Sequence, residues 1–235
     1  TMGDANAAAI TRARNNGHKI LINTGRGYAC IPRQLVEDYR FDGYVTALGA
    51  SVEVDGKMIY NNPVPKEKLD ALLDYLFANQ KPCRFQGHRS TLCIDFLGKA
   101  PVGWTKVDSK EAFFAALGDD YVSKVTIDYD LEGDYLAFLQ SMLNVYVHHG
   151  GGEACNAGND KATGMMLALD ALGIPRERSV AMGDSTNDAE ILRAVGVPVV
   201  MENAPEILKQ IDGCFVTDTC ENDGVAKALC ALGLA

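Results

Sequence analysis

The sequence is poor in everything that would commit it to a membrane, to nucleic acid or to an oxidising compartment. Within its 235 residues no apolar run approaches the roughly 18–20 residues that cross a bilayer as a helix. The opening TMGDANAAAITRARNNG lacks the basic-then-apolar layout of a secretory signal. Positive charge is in deficit: 22 Lys and Arg stand against 31 Asp and Glu, for a net charge of −9. A chain of that sign is repelled by phosphate backbones and anionic headgroups, so neither nucleic acid nor a membrane is expected as partner. The seven cysteines (Cys30, Cys83, Cys93, Cys155, Cys214, Cys220 and Cys230) are odd in number and form no CxxC pair. They read as reduced, mostly buried small hydrophobes of a cytoplasmic protein. The pair His148–His149 runs into GGGEAC without further ligands at zinc-like spacing, and reads as a Gly-rich loop. No internal repeat and no low-complexity tract is present.

What is present is ordinary globular material, 47% hydrophobic and 23% charged, enough for one large domain or two smaller ones with their own cores. Short apolar strands alternate with amphipathic helices. AAAITRARNNG reads as a helix ending at Gly17, HKILINT as a buried strand and IPRQLVEDY as a helix. YVTALGA and SVEVDGKMIYNNPV follow as strands, with Asp55-Gly56 marking a hairpin. The last third gives helix KATGMMLALDALG, strand RSVAMG, helix DAEILRAVG, strand VPVVM, helix APEILKQI, strand CFVTD and helix DGVAKALCALG. That rhythm predicts right-handed βαβ units on a parallel sheet, an α/β fold.

Residues 64–155 read differently. KEKLDALLDYLFAN puts Leu69, Leu72, Leu73 and Leu76 on one helical face, and CRFQGH with STLCIDFLG predicts two antiparallel strands. Helix SKEAFFAALG, strand VSKVTIDYD, helix GDYLAFLQSML and two short strands complete an α+β segment set into an α/β one. Pro63 and Pro65 mark its entrance; the glycines at 150–152 with Gly158 mark its exit. The expected organisation is therefore 1–63, an inserted 64–155, and 156–235.

Three clusters of chemical side chains fall at strand–helix junctions, where parallel α/β sheets bind ligands. In GDSTND, Asp184 stands at the tip of a strand and Asp188 four residues on, with Asn187 between. Paired carboxylates there suit a hard cation such as Mg²⁺, which takes one or two carboxylates beside water or phosphate oxygens. The same residues also suit a helix N-cap, and both readings stand at this point. In INTGR, Thr24 ends a strand with a hydroxyl and backbone N–H groups at a Gly turn; phosphate binding and a plain turn are both open. In NDKATGMM, Lys161 stands at a helix N-terminus behind Asn159 or Asp160 as cap. A cation there opposes the helix dipole unless an anion docks beside it.

With these three motifs in this order, the chain resembles the haloacid dehalogenase superfamily, specifically the Cof-type sugar-phosphatase-like branch with a C2 cap. INTGR looks like its motif II, Lys161 its motif III and GDSTND its motif IV. The tail carries the "NA" at Asn203–Ala204 and "DGV" at Asp223–Val225 of the family's closing pattern. The resemblance spans nearly the whole chain. It implies a Rossmann-like three-layer core (residues 1–63 and 156–235) with an inserted α+β cap domain at 64–155, and a Mg²⁺-dependent phosphatase acting on a small phosphorylated metabolite. It further implies Asp184 and Asp188 at the metal, and Thr24, Gly25, Arg26, Lys161 and Asn187 around the phosphate, with Thr24 and Lys161 catalytic. Arg84, His88 and Asn203 would face the substrate, with Arg89 beside them on the cap hairpin. A monomer or homodimer is expected.

One family element is absent. The resemblance implies a DxDGT motif at the end of the first core strand, whose first Asp attacks phosphorus, and no DxDG precedes Thr24. Asp4 leads straight into a helix with no apolar strand before it, so it is not given that role. A missing central strand would leave two neighbours with unpaired backbone, which favours a nucleophile lying upstream of Thr1. A non-catalytic phosphometabolite-binding scaffold and a phosphomutase of the same fold are the alternatives.

Overall fold

The computed structural model describes residues 2–39 and 41–235. The chain opens with α1 (Asp4–Asn15), β1 (Leu21–Asn23), α2 (Arg33–Tyr39) and β2 (Gly43–Thr46), and then the hairpin β3 (Ser51–Val54) and β4 (Lys57–Asn61). Asp55 and Gly56 both adopt left-handed φ, 49° and 73°, as the two-residue turn anticipated for Asp-Gly requires. β1 pairs parallel with β2, and β2–β3–β4 continue antiparallel.

The inserted segment comprises α3 (Lys66–Ala78), β5 (Cys83–Gly87), β6 (Thr91–Ile94), the short β7 (Thr105–Lys106), α4 (Lys110–Leu117), β8 (Val122–Ile127), α5 (Gly133–Gln140), β9 (Asn144–His148) and β10 (Gly151–Cys155). Its six strands form a sheet of their own in the order β7-β6-β5-β8-β10-β9. One sheet face buries Phe85, Val125, Ile127 and Ala154 against Leu69, Leu72, Leu73 and Leu76 of α3 and Phe113 of α4. The leucine spacing read from the sequence is thus the core face of α3. Gly151 and Gly152, expected at the exit, are paired within β10 instead; the chain leaves at Asn156–Asn159. There the two connecting stretches are stitched by amides, Asn62 donating to Ala157 and Asn159, and Asn156 and Asn159 donating back to Asn62.

The remainder is α6 (Lys161–Leu172), β11 (Val180–Gly183), α7 (Ala189–Ala194), β12 (Val197–Met201), α8 (Glu206–Lys209), β13 (Phe215–Thr217) and α9 (Gly224–Ala231). β11, β12 and β13 form a parallel three-stranded sheet, a second α/β half beside the first. α6 lies over β2 and β3, with Ala168 buried against Val45 and Val52. Among the described residues no strand pairs with the outer edge of β1 or of β11. α1 packs against both, through Ile20 before β1 and Met182 of β11. Among the described residues no helix is long and apolar enough to cross a membrane.

Candidate active site

Lys161 is the residue on which separate parts of the chain meet. It is the first residue of α6, behind Asp160, whose carboxylate accepts the Thr163 N–H at 2.7 Å as N-cap. Only 6% of the Lys161 side chain is exposed. Its ammonium donates to Asn187 Oδ1 at 2.8 Å and to Asp188 Oδ1 at 2.6 Å, while Asn23 at the tip of β1 donates to its backbone carbonyl at 3.1 Å. One buried cation therefore ties β1, α6 and the loop after β11 together. Removing either partner of such a pair leaves a charge buried without compensation.

Asp188 is bonded through both of its oxygens. Its Oδ1 takes Lys161, and its Oδ2 accepts the backbone N–H groups of Asp184 at 3.2 Å and Ser185 at 3.1 Å, forming a capping box with Ser185. Both oxygens are thus occupied by donors. Asp184, at the tip of β11, is exposed, and its carboxylate has no side-chain partner among the described residues. A single free carboxylate at a strand end suits a Mg²⁺ that completes its shell with water and phosphate oxygens. Of the two expected metal residues, Asp184 has a carboxylate without a side-chain partner among the described residues, while both Asp188 oxygens accept hydrogen bonds.

The loop after β1 stands opposite. Thr24 Oγ1 accepts the Arg26 N–H at 3.2 Å, and the Thr24 N–H is taken by Val45 at 2.9 Å. A Cβ on Gly25 would come within 3.9 Å of Asn187 Nδ2, so the Thr24–Arg26 turn and the loop after β11 face each other across a narrow gap. Arg26 is exposed.

Three residues that sequence reasoning passed over complete the site, all from the inserted segment. Lys124 on β8 reaches the Gly25 carbonyl at 2.8 Å and pairs with Glu153 of β10. Gln86 on β5 accepts the Gly27 N–H at 2.8 Å. Burial pushes the Lys124 ammonium below the ordinary lysine value, against the opposing pull of Glu153. Burial likewise raises the Cys30 thiol, against the opposing pull of the Lys124, Arg26 and Arg84 cations. The sequence did hold one signal: a lysine in the middle of the otherwise apolar strand VSKVTI.

The remaining candidates are placed less centrally. Arg84, on the same face of the sheet as Gln86, pairs with Asp128 and lies 5.8 Å over the Trp104 ring. His88 stacks on Tyr28 of the Thr24 loop at 4.7 Å, as a contact between the two parts of the molecule. Arg89 binds Asp119 on the far side of the hairpin at 2.7 Å. Asn203 is exposed in the turn after β12. Asp4 is the exposed first residue of α1, and His149–Gly150 is the turn of the β9–β10 hairpin. The cysteines are less buried than expected: Cys83, Cys93 and Cys155 are inside, whereas Cys220 and Cys230 are exposed and all seven are free. Cys220 lies in the turn before α9, and Cys230 lies on the exposed face of the last turn of α9.

Comparison with known proteins accords with this architecture. Residues 1–229 match the family model of haloacid dehalogenase-like hydrolases. The Bacillus subtilis 5-amino-6-(5-phospho-D-ribitylamino)uracil phosphatase YcsE is 26% identical over 230 residues, covering 97% of this chain and 87% of that protein. A second Bacillus subtilis phosphatase of the same name, YitU, is 43% identical over 77 residues, a third of this chain. Among solved structures, the subclass IIB sugar phosphatase BT4131 superposes with a TM-score of 0.81 at 24% identity, covering 99% of this chain and 92% of that one. A haloacid dehalogenase-like hydrolase from Bacteroides thetaiotaomicron superposes with a TM-score of 0.84 at 22% identity, covering 98% and 92%. The chain thus belongs to the haloacid dehalogenase-like hydrolases, as an enzyme with their α/β core and the six-stranded unit set into it.

Proposed function

We propose that this protein is a Mg²⁺-dependent phosphomonoesterase acting on a small phosphorylated metabolite, with a sugar or sugar-alcohol phosphate as the first substrate class to test. The observation that carries the reading is Lys161: its buried ammonium joins Asn187 and Asp188 opposite the Thr24 turn, at a junction where three separated loops face one gap. The sugar phosphatase and the ribitylaminouracil phosphatases among the similar proteins support the substrate class.

In this reading the Thr24 hydroxyl and the Gly25 N–H hold the phosphoryl oxygens, while the Arg26 N–H orients the Thr24 hydroxyl. Lys161 offsets the negative charge that spreads over those oxygens in the transition state, and Asp188 with Asn187 keeps its ammonium in place. Asp184 holds the Mg²⁺, which when bound supplies a second positive charge at the phosphoryl group. In this reading the attacking carboxylate is not among the described residues, and the outer edges of β1 and β11 pair with no other strand among them. The attacking carboxylate forms an aspartyl phosphate, expels the alcohol oxygen, and is regenerated by water. The inserted unit, residues 64–155, acts as a cap that excludes bulk water and contacts the leaving group.

The test uses the native protein, whose intact mass reports whether residues precede Thr1. Hydrolysis of a panel of sugar and polyol phosphates is then followed with Mg²⁺ and with chelator. Expected are dependence on Mg²⁺ and a loss of about 10²-fold or more in kcat for both Lys161→Ala and Asp184→Ala, the scale of removing one preorganised charge stabiliser. Turnover that survives both substitutions overturns the reading. Saturable phosphate binding without any turnover overturns it in favour of a non-catalytic binding protein.

A further inference from the structure

The turn that carries Thr24 is gripped from outside its own half of the molecule. Lys124 donates to the Gly25 carbonyl at 2.8 Å, Gln86 accepts the Gly27 N–H at 2.8 Å, and the His88 ring lies on Tyr28 at 4.7 Å. The fit is close: a Cβ on Gly27 would lie 2.8 Å from Gln86 Cβ and 3.2 Å from the Gly87 carbonyl, and one on Gly25 would lie 3.4 Å from Glu153 Oε2. Lys124 is an expensive choice for this position. It sits on β8, in the interior of the six-stranded sheet, between Ser123 and the core residue Val125, and its side chain is 2% exposed. A methionine would fill a comparable volume without desolvating a charge.

The peptide bond explains what the lysine does. The Gly25 carbonyl and the Arg26 N–H belong to one planar, trans peptide unit, so they point in opposite directions. Drawing the carbonyl toward Lys124 aims the Arg26 N–H the other way, and there it meets Thr24 Oγ1 at 3.2 Å. We propose that Lys124 is a positioning residue: seated from the cap, it orients the Gly25–Arg26 peptide and hence the Thr24 hydroxyl, so that the phosphate-accepting turn is formed only while the six-stranded unit is docked on the core. Glu153 holds the ammonium in place, and Gln86 fixes the next peptide N–H. That the turn accepts phosphate rests on the proposed phosphatase function; the coupling of the turn to the cap does not.

The experiment compares the native protein with the double variant Lys124→Met/Glu153→Gln, which removes the ion pair without leaving a buried charge alone. Gln86→Ala, which removes the Gly27 bond together with the Gln86–Thr126 bond inside the six-stranded sheet but leaves the ion pair, serves as a second variant. Amide hydrogen exchange is read at Arg26 and Gly27, with Leu72 and Val199 as remote controls, alongside the affinity for inorganic phosphate. Expected for the double variant is exchange at Arg26 faster by about tenfold or more, controls unchanged, and phosphate affinity lower by about ten- to a hundredfold, the scale of one charge-assisted hydrogen bond. Gln86→Ala speeds exchange at Gly27 and less so at Arg26. Unchanged protection at Arg26 in the double variant, or acceleration equal at the remote controls, overturns the coupling. Faster exchange at Arg26 in a protein that binds no phosphate in either form supports the coupling while removing the phosphatase reading.

Discussion

Gly49→Ala tests whether the site geometry rests on one close backbone approach. Gly49 lies in the turn between β2 and β3 with φ +85°, and a Cβ there would stand 2.0 Å from the Asp160 carbonyl oxygen and 2.7 Å from its carbon. These are backbone atoms, so no rotamer change relieves the clash; the N-terminus of α6 must retreat by roughly 1 Å or more to reach a tolerable contact. Left-handed backbone at a residue with a Cβ costs about 1–2 kcal/mol and the overpacking about 1–3 more, for a total of about 2–5 kcal/mol. At about 2–4 °C per kcal/mol for a chain of this length, the melting temperature falls by about 4–20 °C. Asp160 caps α6 and Lys161 follows it, so the retreat also carries the ammonium away from Asn187 and Asp188, now at 2.8 and 2.6 Å. A displacement on that scale costs about 10²-fold in turnover. The control is Gly173→Ala, at φ +64° with no heavy atom within 4 Å of the added carbon, where only the backbone term of about 1–2 kcal/mol remains. Thermal unfolding and phosphatase kinetics of both variants decide the matter. If Gly49→Ala melts and turns over like Gly173→Ala, the proposed dependence of Lys161 on this packing is wrong.

Two further predictions concern stability. Leu72→Ala, at a fully buried position of α3, costs about 2–5 kcal/mol by chemical denaturation and leaves the spectroscopic signature of the core helices intact; a loss below about 1 kcal/mol would mean that the cap core is not packed as described. Acid should destabilise the protein through Asp42 and Asp218. Burial pushes the Asp42 carboxyl up, but the Ile20 N–H, Lys19 and Arg14 outweigh it and the net direction is down; Lys227, the Thr219 N–H and Asn222 lower Asp218 to about 2. Groups with depressed native values stabilise above the unfolded carboxylate value of about 4, and that stability is lost as pH falls toward about 2. Urea midpoints measured from about pH 6 down to about pH 2 should therefore decline below about pH 4, and Asp42→Asn should flatten the decline.

Much of the architecture was legible because local chemistry fixed it. The leucines of α3, the Asp55-Gly56 turn, the cap at Asp160 and the alternation of strands and helices are decided within a few residues. The three motif positions were legible too, since Thr24 and Asp184 follow strand ends and Lys161 opens a helix. The grip on the Thr24 turn was not, because Lys124 is 99 residues from Gly25 and Gln86 is 59 from Gly27. No local pattern encodes a partner at such separation. Nor could spacing show which donors reach the two Asp188 oxygens, the Lys161 ammonium on one and two backbone N–H groups on the other.

The amino-acid order by itself determined the elements, the faces they bury and the residue types standing at the strand ends, since periodicity, turn chemistry and charge act over a turn or two of chain. Tertiary structure alone decided that Lys161 meets Asn187 and Asp188, and that the β8 lysine holds a turn of the other half of the molecule. Those contacts exist only once two sheets and α6 are stacked, because a buried ammonium takes whichever oxygens the folded chain brings within about 3 Å.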